Sequence, residues 1–252
     1  LVSDCTHLTR CPKLLVRITE LPPQQRVTGD KEVDAYLWLR QIVSEVPHPM
    51  VFNLAEEAVK KLTRPLKELV DAYSSWAIQQ DGASAIGVAF GTFHMDNFAG
   101  TLEGHRKKLE QFNAAKGHFG TIEAAFELTE PEAILVDRWV LDYGDRQESP
   151  LLRESEYYHM LDVLPKPTSI TEVLNELEYW DELYSLRYAL EECEQHCLVE
   201  IRIHWLECQL PVMPPASKEE AVRLAEYIST DDRLDLATLA DTRTLIRNCV
   251  NY

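Results

Sequence analysis

The sequence predicts a mainly α, multi-helix globular protein with room for a small β element. Three observations carry this. Four stretches have the spacing of a helix-opening capping box: Asn53-Leu-Ala-Glu56, Thr129-Glu-Pro-Glu132, Ser169-Ile-Thr-Glu172 and Ser217-Lys-Glu-Glu220. In such a box the first side chain accepts from a backbone N–H one turn ahead, and the Glu reaches back to the cap residue's own N–H. Apolar residues downstream of the boxes recur at helical spacing. Finally, no glycine occurs after Gly144, so the long tail offers few of the positions that normally accommodate positive φ.

Residues 1–29 hold Pro12, Pro22, Pro23 and Gly29 around the β-leaning run Leu14-Leu15-Val16-Arg17-Ile18. They are expected to form a leader, either a short strand or an extended arm. Helices are expected at 30–46 and 53–79, with Pro65 kinking or splitting the second because proline removes an internal hydrogen bond. Residues 82–120 hold seven of the nine glycines. Within them, Ala85 to Phe93 is small and β-branched enough for a strand or hairpin, and a helix is expected at 96–115. Further helices are expected at 130–143, with Pro131 tolerated in the first turn, and at 150–163.

The stretch 169–208 has neither Gly nor Pro. One apolar stripe, Ile170, Val173, Leu177, Trp180 and Tyr184, follows helical spacing. A second, Leu190, Cys193, Cys197, Ile201, Trp205 and Cys208, does too, but out of phase with the first. Either one helix turns different faces to different neighbours or two helices meet between Tyr184 and Leu190. Val199 to Trp205 also alternates with period two, as a strand would. Helices at 217–229 and 232–249 complete the reading.

Charge divides the chain. Residues 1–120 carry 14 basic and 14 acidic residues, leaving 11 and 28 for 121–252, so the net charge of −17 lies wholly in the second half. This suggests a charge-balanced region over 1–120 and an acidic one over 121–252, as two parts or one continuous domain. An acidic half disfavours direct nucleic-acid binding and favours a basic protein surface as partner. No window approaches the roughly 18 uninterrupted apolar residues of a membrane span. The six cysteines are too sparse for a disulfide scaffold and fit free thiols in a reducing cytoplasm. Neither an initiator Met nor a signal-peptide pattern opens the chain.

Metal chemistry has two candidate sites. Cys193, His196, Cys197, His204 and Cys208 are zinc-ligating types. On one helical rod, however, the two ends of this set lie about 16 Å apart at ~1.5 Å per residue. Glu156-Tyr-Tyr-His159 has the Glu-x-x-His spacing of di-iron bundles, which need a second copy that the chain lacks. Neither supports a metal, and no cofactor is expected. The glycines around Gly87 and Gly91 lack the Gly-Lys-Ser/Thr of a phosphate loop. The basic run His105-Arg-Lys-Lys108, with Lys116 and His118, is short and suits an electrostatic match within the protein or between subunits. No catalytic signature is present.

One constellation remains. Glu176, Glu178, Asp181 and Glu182 are interleaved with Trp180 and Tyr184, and Glu191 and Glu194 continue the pattern. These residues form a candidate docking face for a basic partner, with aromatics as anchors. The function expected is that of a protein-binding helical adaptor, regulatory or complex subunit acting through the acidic half. The alternatives are an inhibitor that mimics a nucleic-acid backbone, and an enzyme or metal protein whose site assembles from distant residues. Trp180 has two roles open to it, because it lies in both the acidic-aromatic run and the apolar stripe.

Overall fold

The computed structural model describes residues 10–11, 21–80, 82–143, 164–230 and 239–250. The described residues form eleven helices and two very short strands, a mainly α, multi-helix globular fold. The chain divides into two compact units, residues 14–114 and residues 1–13 with 115–252, and the division falls inside one long helix.

In the unit of residues 14–114, helix α1 (Lys31–Glu45) opens at Asp30, whose carboxylate accepts from the backbone N–H groups of Glu32 and Val33. Its inner face, Val33, Tyr36, Leu39, Ile42 and Val43, is the spine of the core. The Tyr36 hydroxyl donates to the Met95 carbonyl, which satisfies a polar group that burial would otherwise penalise. Helix α2 (Pro49–Val59) starts four residues before the expected cap. His48 caps it through Nδ1 (3.2 Å to Met50 N) and Pro49 occupies the first turn, where its missing N–H costs nothing. Asn53 therefore lies inside the helix, and the box read at 53–56 is not a helix start.

Pro65 does split the segment. It immediately precedes helix α3 (Leu66–Ile78). The connection is tied to α1 by Arg64, which reaches Asp30 at 2.6 Å and Glu32 at 3.0 Å. The strand or hairpin expected near 85–93 is instead helix α4 (Ala85–Gly91), opened by Ser84. A short apolar run fits either state by periodicity, and the serine cap decides it. Helix α5 (Phe98–Phe119) closes the core with Phe98 and Leu102. It ends at Gly120, whose φ of +77° suits glycine past a helix C-terminus.

The unit of residues 1–13 and 115–252 contains the short helix α6 (Ile122–Ala125) and then α7 (Glu130–Tyr143), whose bounds match the expected ones. The 169–208 stretch is two helices, α8 (Ile170–Leu190) and α9 (Cys197–Gln209). The two helices meet at 191–196, beyond the Tyr184–Leu190 span where the junction was expected: Leu183, Arg187 and Leu190 continue the first buried stripe to the end of α8. Within it, strand β2 (Glu192–Cys193) pairs antiparallel with β1 (Arg10–Cys11). The small β element thus exists, with one of its strands in the 1–29 leader, whereas 85–91 and 199–205 are helical. The run 14–18 and the helix expected at 150–163, with Glu156 and His159, lie outside the described residues.

Helix α10 (Lys218–Thr230) and helix α11 (Leu239–Val250) follow. Helix α8 packs on α9 and α10, and α9 on α7. Ile170, Val173, Leu174, Leu177, Trp180 and Leu183 of α8 meet Leu198, Val199 and Leu206 of α9 in one core with Leu135 and Trp139. No helix among the described residues is long and apolar enough to cross a membrane.

Candidate protein-docking face

Helix α8 carries most of the candidate residues, and its rigidity comes from its ends and its buried side. Ser169 accepts from Glu172 N at 3.2 Å. Glu172 reaches back one residue further than a capping box requires, accepting from Thr168 N at 2.6 Å. Ser217 and Glu220 repeat this at the start of α10, where Glu220 accepts from Ala216 N at 2.7 Å and also from Thr171 N at 3.1 Å. The second bond ties the two helix starts together.

The buried side of α8 includes one arginine, Arg187, and the partner of another, Glu176, as well as apolar residues. Arg202 of α9 is fully buried and grips Glu176 with two bonds, 2.7 and 2.8 Å, while donating to the Pro165 carbonyl at 2.9 Å. Arg187 of α8 is held by Glu132 of α7. Burial raises the Glu132 carboxyl, but the Arg187 guanidinium and the Thr129 donors outweigh it and hold the group below the ordinary carboxylate range.

This arrangement divides the eight expected docking residues. Trp180 is 1% exposed and belongs to the core, with its indole N–H donating to Glu176 at 3.2 Å. Glu191 is 4% exposed. Both are buried, so neither can form part of an exposed docking face. Glu176 is committed to Arg202. The remaining five are open to solvent in different degrees: Glu178, Glu182 and Glu194 are exposed, and Asp181 and Tyr184 are half-buried.

On α8 the exposed carboxylates have a regular geometry. Glu178 and Glu182 are four residues apart, so they stand in one row on the helix face opposite Trp180. Tyr179 flanks the row on one side; Asp181 and Tyr188 flank it on the other. Tyr179 and Tyr188 are exposed aromatics, and the Tyr188 ring lies 5.8 Å from that of Tyr184. Tyr188 was not among the expected anchors. The signal for it was available: it is four residues from Tyr184 and on the polar side of the stripe that buries Leu183 and Arg187. Arg223 of α10 neutralises part of the row by meeting Glu178 at 2.8 Å.

Negative charge continues beyond the helix. Glu192 and Glu194 are exposed in the 191–196 connection. Partial desolvation, and after it the charge of Glu194, push the Glu200 carboxyl above its ordinary value.

The other constellations have ordinary places. Cys193 lies in β2, Cys197 at the start of α9 and Cys208 near its far end, exposed beside His204. Among the described residues no three His, Cys, Asp or Glu side chains are grouped to hold a metal ion. In the basic run, Arg106 is engaged by Glu56 (2.7 Å) and Asn53 (3.2 Å) of its own unit. His105 packs against Phe52, and burial together with Lys108 and Arg40 lowers its basicity. No protein family, known protein or solved structure matches this chain.

Proposed function

We propose that the chain is a protein-binding helical subunit, an adaptor or regulatory component, that meets a basic surface of its partner through the exposed face of α8. The observation that carries this reading is the Glu178–Glu182 row, flanked by the exposed rings of Tyr179 and Tyr188, on a helix whose other side is locked into the core. Carboxylates on a rigid support keep their spacing during encounter, so they attract a basic patch without first being ordered. Exposed tyrosines supply contact area at low entropic cost. The full −17 in residues 121–252 adds long-range attraction of the same sign.

The test is affinity capture from the native host with two baits, the natural chain and Glu178→Lys/Glu182→Lys. The reading expects a basic protein retained by the first bait, lost from the second, and eluted between about 0.1 and 0.5 M salt, where exposed charges are screened within roughly 10 Å. Equal capture by both baits, or retention indifferent to salt, would refute it.

A further inference from the structure

The described surface carries an apolar patch unrelated to the acidic face. From Gly82 to Met95 the chain has no Asp, Glu, Lys or Arg. Within that stretch Ile86, Phe90 and Phe93 are 70%, 80% and 71% exposed. Single exposed hydrophobes need no explanation. Three large ones within eight residues, two of them aligned four apart on α4 and the third just past its end, make an apolar knob.

Beside the knob is a hollow. Tyr73 and Ala77 of α3, with Ser84, Gly87, Val88 and Gly91, line a groove of about 290 Å³. There is open space at Gly91, where a Cβ would meet nothing within 4 Å. At 3.6 residues per turn, Gly87 and Gly91 lie on the helix face next to that of Ile86 and Phe90. Knob and hollow therefore sit side by side on one short helix.

We infer that this patch is the contact surface for a second copy of the chain, with Phe90 of each protomer seated in the groove of the other. A two-fold interface needs one patch that is complementary to itself, and adjacent knob and hollow provide that. The sizes agree: roughly 150 Å³ of apolar space holds a benzene ring, well within the groove. The area agrees too. Ile86, Phe90 and Phe93 expose roughly 450 Å², more than half of the ~800 Å² per partner of a stable interface, before the walls at Tyr73, Ala77 and Val88 are counted. Charge favours this place over the acidic half, because the patch sets no formal charge against its own image. A bilayer would engage the knob but has no use for the groove, and the stretch lacks the cations that accompany interfacial anchors.

The interface is at the small end of specific contacts, so the dimer is weak, with a dissociation constant on the order of 10 µM. Sedimentation equilibrium of the full chain tests it, from about 1 to 300 µM. The average mass is expected to rise toward twice that of the chain, and more steeply at high salt, which screens the repulsion of two −17 chains. Phe90→Asp should weaken association at least ~30-fold by removing the knob, and Gly91→Leu about 10-fold by filling the hollow. Both positions are open to solvent, so the helical spectrum and melting temperature should hold. A chain that stays monomeric throughout, or a dimer indifferent to both variants, overturns the inference. So does a monomer that binds phosphatidylcholine vesicles through Phe90. Because salt strengthens this contact and weakens the one proposed for α8, failure of either leaves the other distinguishable.

Discussion

Arg187 and Glu132 form a bidentate ion pair, 2.5 and 2.9 Å, with side chains 3% and 0% exposed. Arg187 spends its other donors on the carbonyls of Ala125 (2.6 Å) and Glu127 (2.9 Å). One guanidinium thus fastens α8 to α7 and to the segment before α7. A buried pair adds little over a well-packed apolar replacement, but losing one partner strands the other. Glu132→Gln and Arg187→Met should each cost about 3–5 kcal/mol in urea unfolding. The pH dependence has a definite sign. Glu132 titrates below its ordinary value of 4.5 in the folded chain, so its contribution is complete above that value and is lost as pH falls through the depressed one. Glu132→Gln should therefore flatten the acid limb of the stability profile. A cost under about 1 kcal/mol with an unchanged acid limb would show the pair to be incidental.

Trp180→Ala should destabilise by about 3–5 kcal/mol, the usual cost of emptying a buried aromatic site. Tyr179→Ala and Tyr188→Ala should stay within about 0.5 kcal/mol. Thermal unfolding separates the two classes. If Trp180→Ala were silent in stability but impaired partner binding, the tryptophan would be an anchor after all.

Asp34 holds the turn that precedes α1. Its carboxylate accepts from Thr28 N (2.7 Å), Thr28 Oγ1 (2.8 Å) and Gly29 N (3.1 Å). Burial acts to raise its pKa, and these donors bring the net value below the ordinary one. Asp34→Ala would leave three donors without their acceptor and should cost about 2–3 kcal/mol. Asp34→Asn should recover part of that, since its amide oxygen can still accept. Equal losses in the two variants, measured by urea unfolding, would mean that the charge and not the bonds holds the turn.

These residues show what was legible in advance. The caps at Ser169 and Ser217 and the span of α7 could be read because capping and periodicity are local. The stripe at 170, 173, 177 and 180 made Trp180 a core candidate and its acidic neighbours made it a docking candidate; only the packing of α8 decides between them. The break between α8 and α9 was expected at Tyr184–Leu190 and falls at 191–196, where no Gly or Pro marks it: His196 caps α9 through its ring instead. Helix α4 was missed because seven apolar and small residues fit strand and helix alike. The buried partners of Glu176 and Glu191's burial were not legible, because they depend on which helices meet.

The acidic face yields a prediction with two opposite arms. Arg223 lies 2.8 Å from Glu178 and offsets part of the row's charge. If the row steers a basic partner, the two changes should move the association rate in opposite directions. Glu182→Lys should slow association several-fold, and Arg223→Gln should speed it by about twofold, since rim charges act mainly on encounter. Both effects should shrink toward nothing at about 0.5 M salt, where the screening length is a few ångströms. Dissociation should respond instead to Tyr179→Ala and Tyr188→Ala, whose rings contribute contact and not field. Stopped-flow or surface kinetics with the captured partner measure all four variants. Association rates that ignore both charge changes, or that shift alike for Glu182→Lys and Arg223→Gln, would remove α8 from the interface and leave its carboxylates as a solvated surface.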